Sequence, residues 1–271
     1  IAIRRPMKTP ESGTEVFAVD NGNGSDNNPG FISGFPIDMG IRKVTTGSSS
    51  FVTSRLTGLN YLRAETNAAE VASTSATTDY MNGWVSFTPQ ADQYSWMFKR
   101  ATGYMDVVAY TGNGTAGATQ AHNLGVAPEL ILVKYRDAIS IGLVYNKTIT
   151  ASKYLSLFGS GNSAAAADTG GFNGTEPTAS VFTLGSYNNV NANGGTYIAY
   201  LFATLAGVSK VGSYTGTGSN VDVDCGFSAG ARFILIKRTD SSGDWYLWDS
   251  LRGITAGNDP YMALNTTAAE V

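Results

Sequence analysis

The chain has 271 residues, of which 14% are charged, and its 18 basic and 21 acidic side chains give a net charge of −3. No basic run is longer than the pair Arg4 and Arg5, which argues against a protein that follows nucleic-acid phosphates. The single Cys225 excludes an internal disulfide framework, and no apolar segment approaches the ~20 residues of a membrane-spanning helix.

Glycine-rich turns divide the chain into similar units. An apolar segment followed by Gly-Asn-Gly or Gly-Thr-Gly occurs at 16–24, 107–114 and 211–218. The first glycines of these turns, at positions 22, 112 and 216, are 90 and 104 residues apart, which suits one small domain per repeat. The tetrapeptide Ala-Ala-Glu-Val also recurs, at 68–71 and 268–271. We therefore predict a modular protein that begins and ends inside a repeat.

The first 15 residues are predicted to be the end of a preceding unit and a linker. Residues 1–5 resemble the strand that closes each later unit. A first β-domain, the most diverged one, is predicted over 16–106. Its strands are expected at 16–19, 39–43 and 94–98.

The second β-domain, 107–210, is the complete one. Glycine, alanine, serine and asparagine fill two predicted loops, 159–174 and 185–195, and no segment has helical periodicity. Aromatic and β-branched runs between the turns predict strands. These are expected at 107–110, 129–136, 141–145, 153–158, 180–184 and 196–202.

The third β-domain, 211–271, is expected to be truncated at its C-terminal end. The run at 232–238 matches the strand predicted at 129–136, and a tight turn leads from it into 245–249. A first strand is expected at 211–214, by analogy with 107–110. The alternation of valine and aspartate from 221 to 225 predicts a further strand, with Cys225 as a buried, inert thiol.

These patterns predict an all-β fold of tandem β-sandwiches, jelly-roll or concanavalin-like, with one complete unit between partial or diverged ones. The connectors, 99–106 and 203–210, have eight residues each and contain one glycine apiece. Because such short linkers restrict motion, we expect a semi-rigid row of separate domains.

The first turn contains a candidate calcium site. Asp20, Asn23 and Asp26 place carboxylate and amide oxygens in a glycine-rich loop, as Ca²⁺ prefers. Asp20 aligns with Tyr110 and Tyr214 in the other units, and a tyrosine supplies no carboxylate. The alternative is therefore a structural turn shared by all three units, with no metal.

No catalytic set is evident. His122 is the only histidine, which excludes a histidine metal cluster and a Ser-His-Asp set repeated across units, and it is expected to be structural. A carboxylate pair assembled from distant strands stays open. Acidic residues such as Asp222 and Asp240 nevertheless lie at predicted turns or on outward strand positions. We predict a protein that is not an enzyme and carries no cofactor.

Trp245 and Trp248 are the candidate glycan contacts. They are three positions apart on one predicted strand, so they face opposite sides of the sheet. One is expected in the core, and the other is a candidate platform for stacking on a sugar ring. The alternative is that both pack against neighbouring loops or subunits.

Several motifs recur in order and together carry a family resemblance: Val-Val-Ala-Tyr-Thr-Gly-Asn-Gly at 107–114, His-Asn-Leu-Gly-Val-Ala-Pro at 122–128, and a strand ending in Lys-Tyr-Arg at 134–136. With the segments 4–10, 96–100 and 237–240, they resemble the repeated β-domains of tail-fibre and other tail-associated proteins of tailed bacteriophages. The resemblance implies a virion structural or host-attachment role, homo-oligomers such as trimers, contact with other tail proteins, and no catalytic residues.

The favoured hypothesis is thus a structural and adhesive segment of a phage tail fibre, located in the virion and outside the cell. A second hypothesis is a carbohydrate-binding module that recognises a host-surface glycan. A third is a non-viral extracellular filament or adhesin.

Overall fold

The computed structural model describes residues 7–22, 29–86, 90–159, 161, 163–167, 170–254 and 259–271. Strands make up 35% of the chain and helices 4%, which confirms the predicted all-β class. A short helix, α1 (Asn188–Asn191), lies inside the loop predicted over 185–195, and 3₁₀ turns occur at Gly13–Glu15 and Arg55–Thr57. In chain order the strands are β1 (Phe17–Asn21), β2 (Phe31–Ile32), β3 (Met39–Val44), β4 (Phe51–Ser54), β5 (Tyr61–Arg63), β6 (Ala76–Thr77), β7 (Gly83–Ser86), β8 (Gln93–Phe98), β9 (Met105–Thr111), β10 (Ala118–Ala121), β11 (Leu130–Tyr135), β12 (Gly142–Asn146), β13 (Lys153–Leu157), β14 (Ala166–Ala167), β15 (Val181–Leu184), β16 (Thr196–Phe202), β17 (Phe233–Lys237), β18 (Trp245–Asp249) and β19 (Met262–Ala263).

Two large antiparallel sheets have the same strand order. The five-stranded sheet runs β1-β8-β3-β4-β5, and the six-stranded sheet runs β9-β16-β11-β12-β13-β14. Their registers also match, because Met39 pairs with Phe98 in the first sheet as Leu130 pairs with Phe202 in the second. Positions of the two sheets can therefore be equated, and β8 and β16 are equivalent closing strands.

A small sheet covers the outer face of each large one. The sheet β2-β7-β6 packs Phe31 and Trp84 against Met97 of the five-stranded sheet. The pair β10-β15 packs Phe182 and Leu184 against the six-stranded sheet. Both large sheets are therefore buried on their two faces, which explains why their closing strands carry apolar residues at successive positions.

The third sheet, β17-β18-β19, repeats the order β3-β4-β5 and β11-β12-β13. Equivalent positions at the ends of β4, β12 and β18 are held by Ser54, Asn146 and Asp249. Each lies opposite the first residue of the neighbouring strand, β3, β11 or β17 respectively. Each of the three side chains accepts a hydrogen bond from the backbone amide two residues later, at 2.9 to 3.1 Å. Short polar side chains commonly cap turns in this way. The third sheet thus continues the repeat.

The inner faces of the three sheets share one buried cluster. Trp96 comes from the five-stranded sheet, Leu132 and Tyr200 from the six-stranded sheet, and Trp245 and Leu247 from the third. All are at most 5% exposed. The short connectors predicted a row of separate domains, but the sheets pack against a common core instead.

Loops join the sheets head to tail. The loops that follow β5, β13 and β19 each donate a backbone amide to another sheet. The acceptors are carbonyl groups just beyond β11, β17 and β3, respectively. The first sheet contacts the second, the second contacts the third, and the third contacts the first, so the contacts close a ring. The three bonds are Glu70 N to Arg136 O (2.7 Å), Ala165 N to Thr239 O (2.8 Å) and Glu270 N to Thr45 O (2.8 Å).

The repeated tetrapeptide forms two of these loops. Val71 exchanges backbone hydrogen bonds with Tyr61 at 2.9 and 3.0 Å, and Val271 does the same with Tyr261 at 3.1 Å. At the second loop Gly47 allows a close approach, since a Cβ atom there would lie 2.9 Å from the carbonyl oxygen of Thr267. Its φ of 92° also favours glycine. The two copies of the motif therefore hold equivalent structural positions.

The start of the third repeat differs from the prediction. Residues 211–214 and 221–225 form no strand, Val221 and Val223 are 39% and 48% exposed, and Cys225 is partly buried rather than buried. Among the described strands, the equivalent strands β1 and β9 pair with β8 and β16 respectively and with no other. No described residue supplies a closing strand to the third sheet, so this segment has no ladder partner within the described part of the chain.

Candidate functional site

Aromatic and aliphatic side chains form a partly exposed patch on the outer face of the third sheet. We call Ile234, Ile236, Tyr246, Trp248 and Tyr261 the aromatic face; all five are partly buried. The ring centroids of Trp248 and Tyr261 are 5.7 Å apart, and those of Tyr246 and Tyr261 are 5.4 Å apart in an edge-to-face geometry. Trp248 and Tyr246 are 6.2 Å apart. The three rings therefore contact one another.

Strand alternation builds the aromatic face. Ile234 lies opposite Trp248, and Ile236 lies opposite Tyr246, in the antiparallel register of β17 and β18. Directly opposed residues share one face of a sheet. Tyr246 and Trp248 are two positions apart, so the sequence alternation alone would have placed them together. Tyr261 joins them only through the pairing of β18 with β19.

The same positions are covered in the six-stranded sheet. Ile131, Val133, Leu143 and Tyr145 are the equivalents of Ile234, Ile236, Tyr246 and Trp248, and each is at most 2% exposed. The pair β10-β15 lies over them. Within the described part of the chain, no small sheet lies over the third sheet. The aromatic face is therefore an apolar surface that the fold covers elsewhere but leaves partly open here.

Trp245 lies on the inner face, as its odd spacing from Trp248 requires. It is 3% exposed, and its indole nitrogen donates to the carbonyl oxygen of Ser156 at 2.8 Å. Its backbone amide donates to Asn265 Oδ1, also at 2.8 Å. With both polar groups satisfied inside the core, Trp245 has no ring face to offer to a sugar, whereas Trp248 is partly open.

A buried polar network fixes the end of β18. Asp249 Oδ2 accepts from Trp96 Nε1 at 3.0 Å and from Arg252 Nε at 2.6 Å. Arg252 Nη1 donates to Glu270 at 2.9 Å, and the guanidinium lies 5.7 Å from the Trp96 ring. The Arg252 and Asp249 side chains are only 2% and 0% exposed. This network ties the aromatic face's sheet to the five-stranded sheet.

Two buried lysines, at equivalent positions of β3 and β11, are a feature that the sequence analysis missed. Lys43 Nζ donates to the carbonyl oxygens of Thr266 (2.5 Å) and Ser48 (3.2 Å), and Lys134 Nζ donates to that of Ser140 (2.7 Å). Burial lowers the pKa of each lysine to about 8. The only signal was a lysine near the end of an apolar strand, a pattern that normally indicates an exposed residue.

The candidate calcium ligands are described only in part. Asp20 lies in β1, where its Oδ2 accepts a hydrogen bond from the Ile32 amide at 2.7 Å, and burial raises the pKa of its carboxyl group. Asn23 and Asp26 lie outside the described residues. Among the residues that are described, no group of three or more histidine, cysteine, aspartate or glutamate side chains is close enough to hold a metal ion.

His122 makes two hydrogen bonds inside the protein. Its Nδ1 accepts from the Leu124 amide at 3.3 Å, so Nε2 carries the proton and donates to the Thr178 carbonyl at 3.1 Å. The ring is 6% exposed, and burial lowers its pKa. These bonds join the 122–124 turn to the segment before β15, which is a structural position.

In the parts of the chain that the structure describes, no helix has the length and apolar character needed to cross a membrane. The family model of a domain of unknown function (DUF7483) matches residues 95–271, from β8 to the third sheet. No curated protein and no solved structure matches the chain.

Proposed function

The chain belongs to the family of a domain of unknown function (DUF7483), and we propose that it is a non-enzymatic structural and adhesive segment of a bacteriophage tail fibre or related virion appendage. In this role it contributes to host-cell attachment outside the cell. Its partners are other copies of itself, in a trimer or other homo-oligomer, and other tail proteins. The observation that carries the proposal is the partly open aromatic face.

The finer fold assignment belongs to the same proposal. We take the repeats to be tandem β-sandwiches of the jelly-roll or concanavalin-like kind. The support is that β1-β8-β3-β4-β5 and β9-β16-β11-β12-β13 have one order, and that a small sheet lies over each. In this reading the third repeat is a sandwich whose second layer is supplied from elsewhere.

The aromatic face has the properties of a contact surface. Large apolar patches on soluble proteins are usually binding surfaces, and tyrosine and tryptophan are enriched in them because they combine apolar area with a polar group. The aromatic face includes residues of β18, and the buried ion pair of Asp249 and Arg252 fixes the end of this strand against the core. A rigid base lowers the entropic cost of binding.

A carbohydrate-binding module is the second candidate, and Trp248 is the residue that favours it. A partly exposed indole in contact with the rings of Tyr246 and Tyr261 combines apolar area for stacking with side chains that can form hydrogen bonds. Trp245 is buried, so the sugar contact is assigned to Trp248 alone. A non-viral extracellular filament or adhesin would use the same face.

The test compares Trp248→Ala with Tyr214→Ala. Tyr214 is 50% exposed and lies outside every strand, so it is a matched exposed aromatic control. Binding to host cells and to a glycan array is measured for the wild type and both variants. We expect Trp248→Ala to lose at least tenfold in cell binding while Tyr214→Ala binds as the wild type does. Equal binding by all three would overturn the adhesive role.

The glycan array distinguishes the two candidates for the ligand, because a sugar signal that disappears in Trp248→Ala supports the carbohydrate module. Gold-labelled antibodies on intact phage particles separate a virion component from a non-viral filament. Label on the tail is the expected result, and label only on cell-surface filaments would contradict the viral assignment.

A further inference from the structure

A long exposed segment connects the second unit to the third sheet. Every residue from 212 to 224 is exposed, and none of them lies in a helix or strand. Among the described phenylalanine, tyrosine and tryptophan side chains, only Tyr214 is exposed rather than buried or half-buried. Its exposed fraction is 50%, and those of Val221 and Val223 are 39% and 48%. The segment thus presents large apolar side chains to solvent.

In the part of the chain that the structure describes, the hydrogen bonds of the 212–224 segment are local. The Ser219 amide donates to Thr217 Oγ1 at 3.3 Å, and Thr217 Oγ1 lies 3.4 Å from the Ser219 carbonyl oxygen. The Gly226 amide donates to Asp224 Oδ1 at 2.7 Å. A Cβ atom at Gly216 would meet no atom within 4 Å apart from its chain neighbours. A segment with so few bonds opens at little cost in free energy.

The equivalent segment of the second unit is held in two sheets. Tyr110 aligns with Tyr214, but it is 8% exposed, and its hydroxyl group donates to the Val190 carbonyl at 2.8 Å. The strand that contains Tyr110, β9, pairs with β16, and the following strand, β10, pairs with β15. The same sequence motif is therefore protected in the second unit and exposed in the third.

Both ends of the 212–224 segment are anchored. On the upstream side, the Val211 amide donates to Thr204 Oγ1 at 3.1 Å. On the downstream side, the Arg232 carbonyl accepts from the Ser250 amide at 3.0 Å. The Arg232 guanidinium group also donates to the Phe17 carbonyl at 3.0 Å. A break between these anchors leaves each of them in place.

The third sheet has its own contacts with the other two sheets. Trp96 of the five-stranded sheet donates to Asp249 at 3.0 Å, and Trp245 donates to Ser156 of the six-stranded sheet at 2.8 Å. The apolar side chains of all three sheets share one buried cluster. None of these contacts involves residues 212–224, so the third sheet is held by more than its covalent connection.

The 212–224 segment has the properties of a protease substrate. Exposed chain with little secondary structure is the preferred site of proteolytic cleavage. An extended peptide binds through backbone hydrogen bonds, and in serine proteases a pocket for the side chain before the cleaved bond sets the specificity. Tyr214, Val221 and Val223 offer such side chains, whereas the segment contains no lysine or arginine. Enzymes with trypsin-like specificity therefore have no target inside it.

We propose that the 212–224 segment is a cleavage site for endoproteases that recognise aromatic or aliphatic side chains, and that the cleaved protein stays together as a two-fragment complex. Cleavage after Tyr214 breaks the peptide bond to Thr215 and consumes one water molecule. It leaves a carboxylate on Tyr214 and an amino group on Thr215. The C-terminal fragment keeps the third sheet and the aromatic face, which stay attached through the shared core.

The test is limited proteolysis of the full chain with chymotrypsin in native buffer, followed by mass spectrometry of the fragments. We expect the first cut after Tyr214, and we expect Tyr214→Ala to slow cleavage at this position at least tenfold. Elastase should cut both proteins after Val221 or Val223 at equal rates, because the whole segment is accessible rather than one residue.

Ile139 is the internal control for exposure alone. Its side chain is 76% exposed, more than any residue named above, but its loop is held where the Ser140 amide donates to the Asn67 carbonyl at 2.8 Å. Elastase should therefore cut after Ile139 at least tenfold more slowly than after Val221. Equal rates at the two positions would overturn the assignment of the segment, and so would a first chymotrypsin cut outside residues 212–224.

The second half of the proposal is tested on the cleaved protein. Both fragments should elute together from a gel-filtration column in native buffer, at the position of the intact chain, and should separate in urea. Separate elution in native buffer would contradict the two-fragment complex. Since the readouts are cleavage and co-elution, their failure leaves the cell-binding test of Trp248 unaffected.

Discussion

The indole nitrogen of Trp96 donates a 3.0 Å hydrogen bond to the carboxylate of Asp249, 153 positions later in the chain. This bond connects β8 of the five-stranded sheet to the end of β18. Because Asp249 also holds the buried Arg252, a single carboxylate links two sheets and supports the aromatic face from beneath.

Replacing Asp249 with alanine should strongly destabilise the protein. The substitution leaves the Arg252 guanidinium buried without its nearest counter-charge, and breaking one side of a buried pair typically costs about 3–5 kcal/mol. The measurement is the free energy of unfolding in urea. Asp240→Ala is the control, because its pair with Arg238 is exposed and its loss should leave the midpoint unchanged. Equal changes in the free energy of unfolding for the two variants would show that the buried network does not stabilise the protein.

The bond between Trp96 and Asp249 should appear as an energetic coupling. Trp96→Phe removes the donor while keeping most of the apolar ring, and a hydrogen bond to a charged group is worth about 1.5–3 kcal/mol. In a double-mutant cycle with Asp249→Asn, the two losses should fall short of additivity by about 0.5–3 kcal/mol. Full additivity would mean that the two side chains do not interact in solution.

Stability should rise as the pH increases from 8 to 10. Lys43 and Lys134 have a folded-state pKa of about 8, below that of an unfolded lysine at 10.5, so the unfolded chain binds more protons in this interval. The contribution of these two lysines to the free energy of unfolding is fully present above the unfolded pKa, where both are neutral. It is lost as the pH falls through 8, because charged lysines are then buried in the folded state. Above pH 10 the trend reverses, because burial raises the pKa of Tyr197 to about 12 and the unfolded tyrosine ionises first.

Unfolding free energies measured at pH 7, 8, 9 and 10 test this trend. Lys134→Met should flatten the rise by at most about 1.4 kcal/mol per pH unit, whereas Lys153→Met, at an exposed position, should keep the wild-type slope. A slope that is identical in all three proteins would contradict the assignment of the buried lysines.

Truncating a side chain should destabilise the protein more at the covered outer face of the six-stranded sheet than at the aromatic face of the third sheet. Phe182→Ala opens a cavity between β15 and the six-stranded sheet, where the side chain is fully buried, and should cost about 3–5 kcal/mol. Trp248→Ala removes a side chain that is already partly in water and should cost clearly less. Thermal unfolding of both variants provides the comparison. A larger loss for Trp248→Ala would indicate that its face is covered in solution.

Local patterns in the sequence predicted the strands better than the arrangement of the sheets. Alternation and β-branched residues located β11, β16, β17 and β18 to within a few residues, and the repeated Ala-Ala-Glu-Val motif correctly marked equivalent positions. The failures were non-local. Residues 211–214 have the composition of a strand but no ladder partner among the described residues, and strand formation depends on that partner more than on propensity.

The candidate site was predictable only in part. The spacing of Trp245 and Trp248 gave their opposite faces, but which face is buried depends on the sheets that pack on each side. Tyr261 was not anticipated, because its contact with Trp248 arises from the pairing of β18 and β19. The hydrogen bonds of Lys43 join residues 223 positions apart, and no periodicity encodes such a contact.

That separation has a consequence for synthesis in the cell. A ribosome adds about 5–20 residues per second, so Lys43 would emerge ~10–45 s before its acceptor at Thr266, 223 residues later. During this interval the buried end of β3 lacks both that carbonyl group and the contact between Gly47 and the loop at 267–269. The first sheet is therefore synthesised early but gains its last hydrogen bonds only when the third sheet has been synthesised. Until then, the nascent chain would expose the side chains of the first sheet that later pack in the shared core. Chaperone dependence, and aggregation of chains that stall before β19, are the expected signs of this delay.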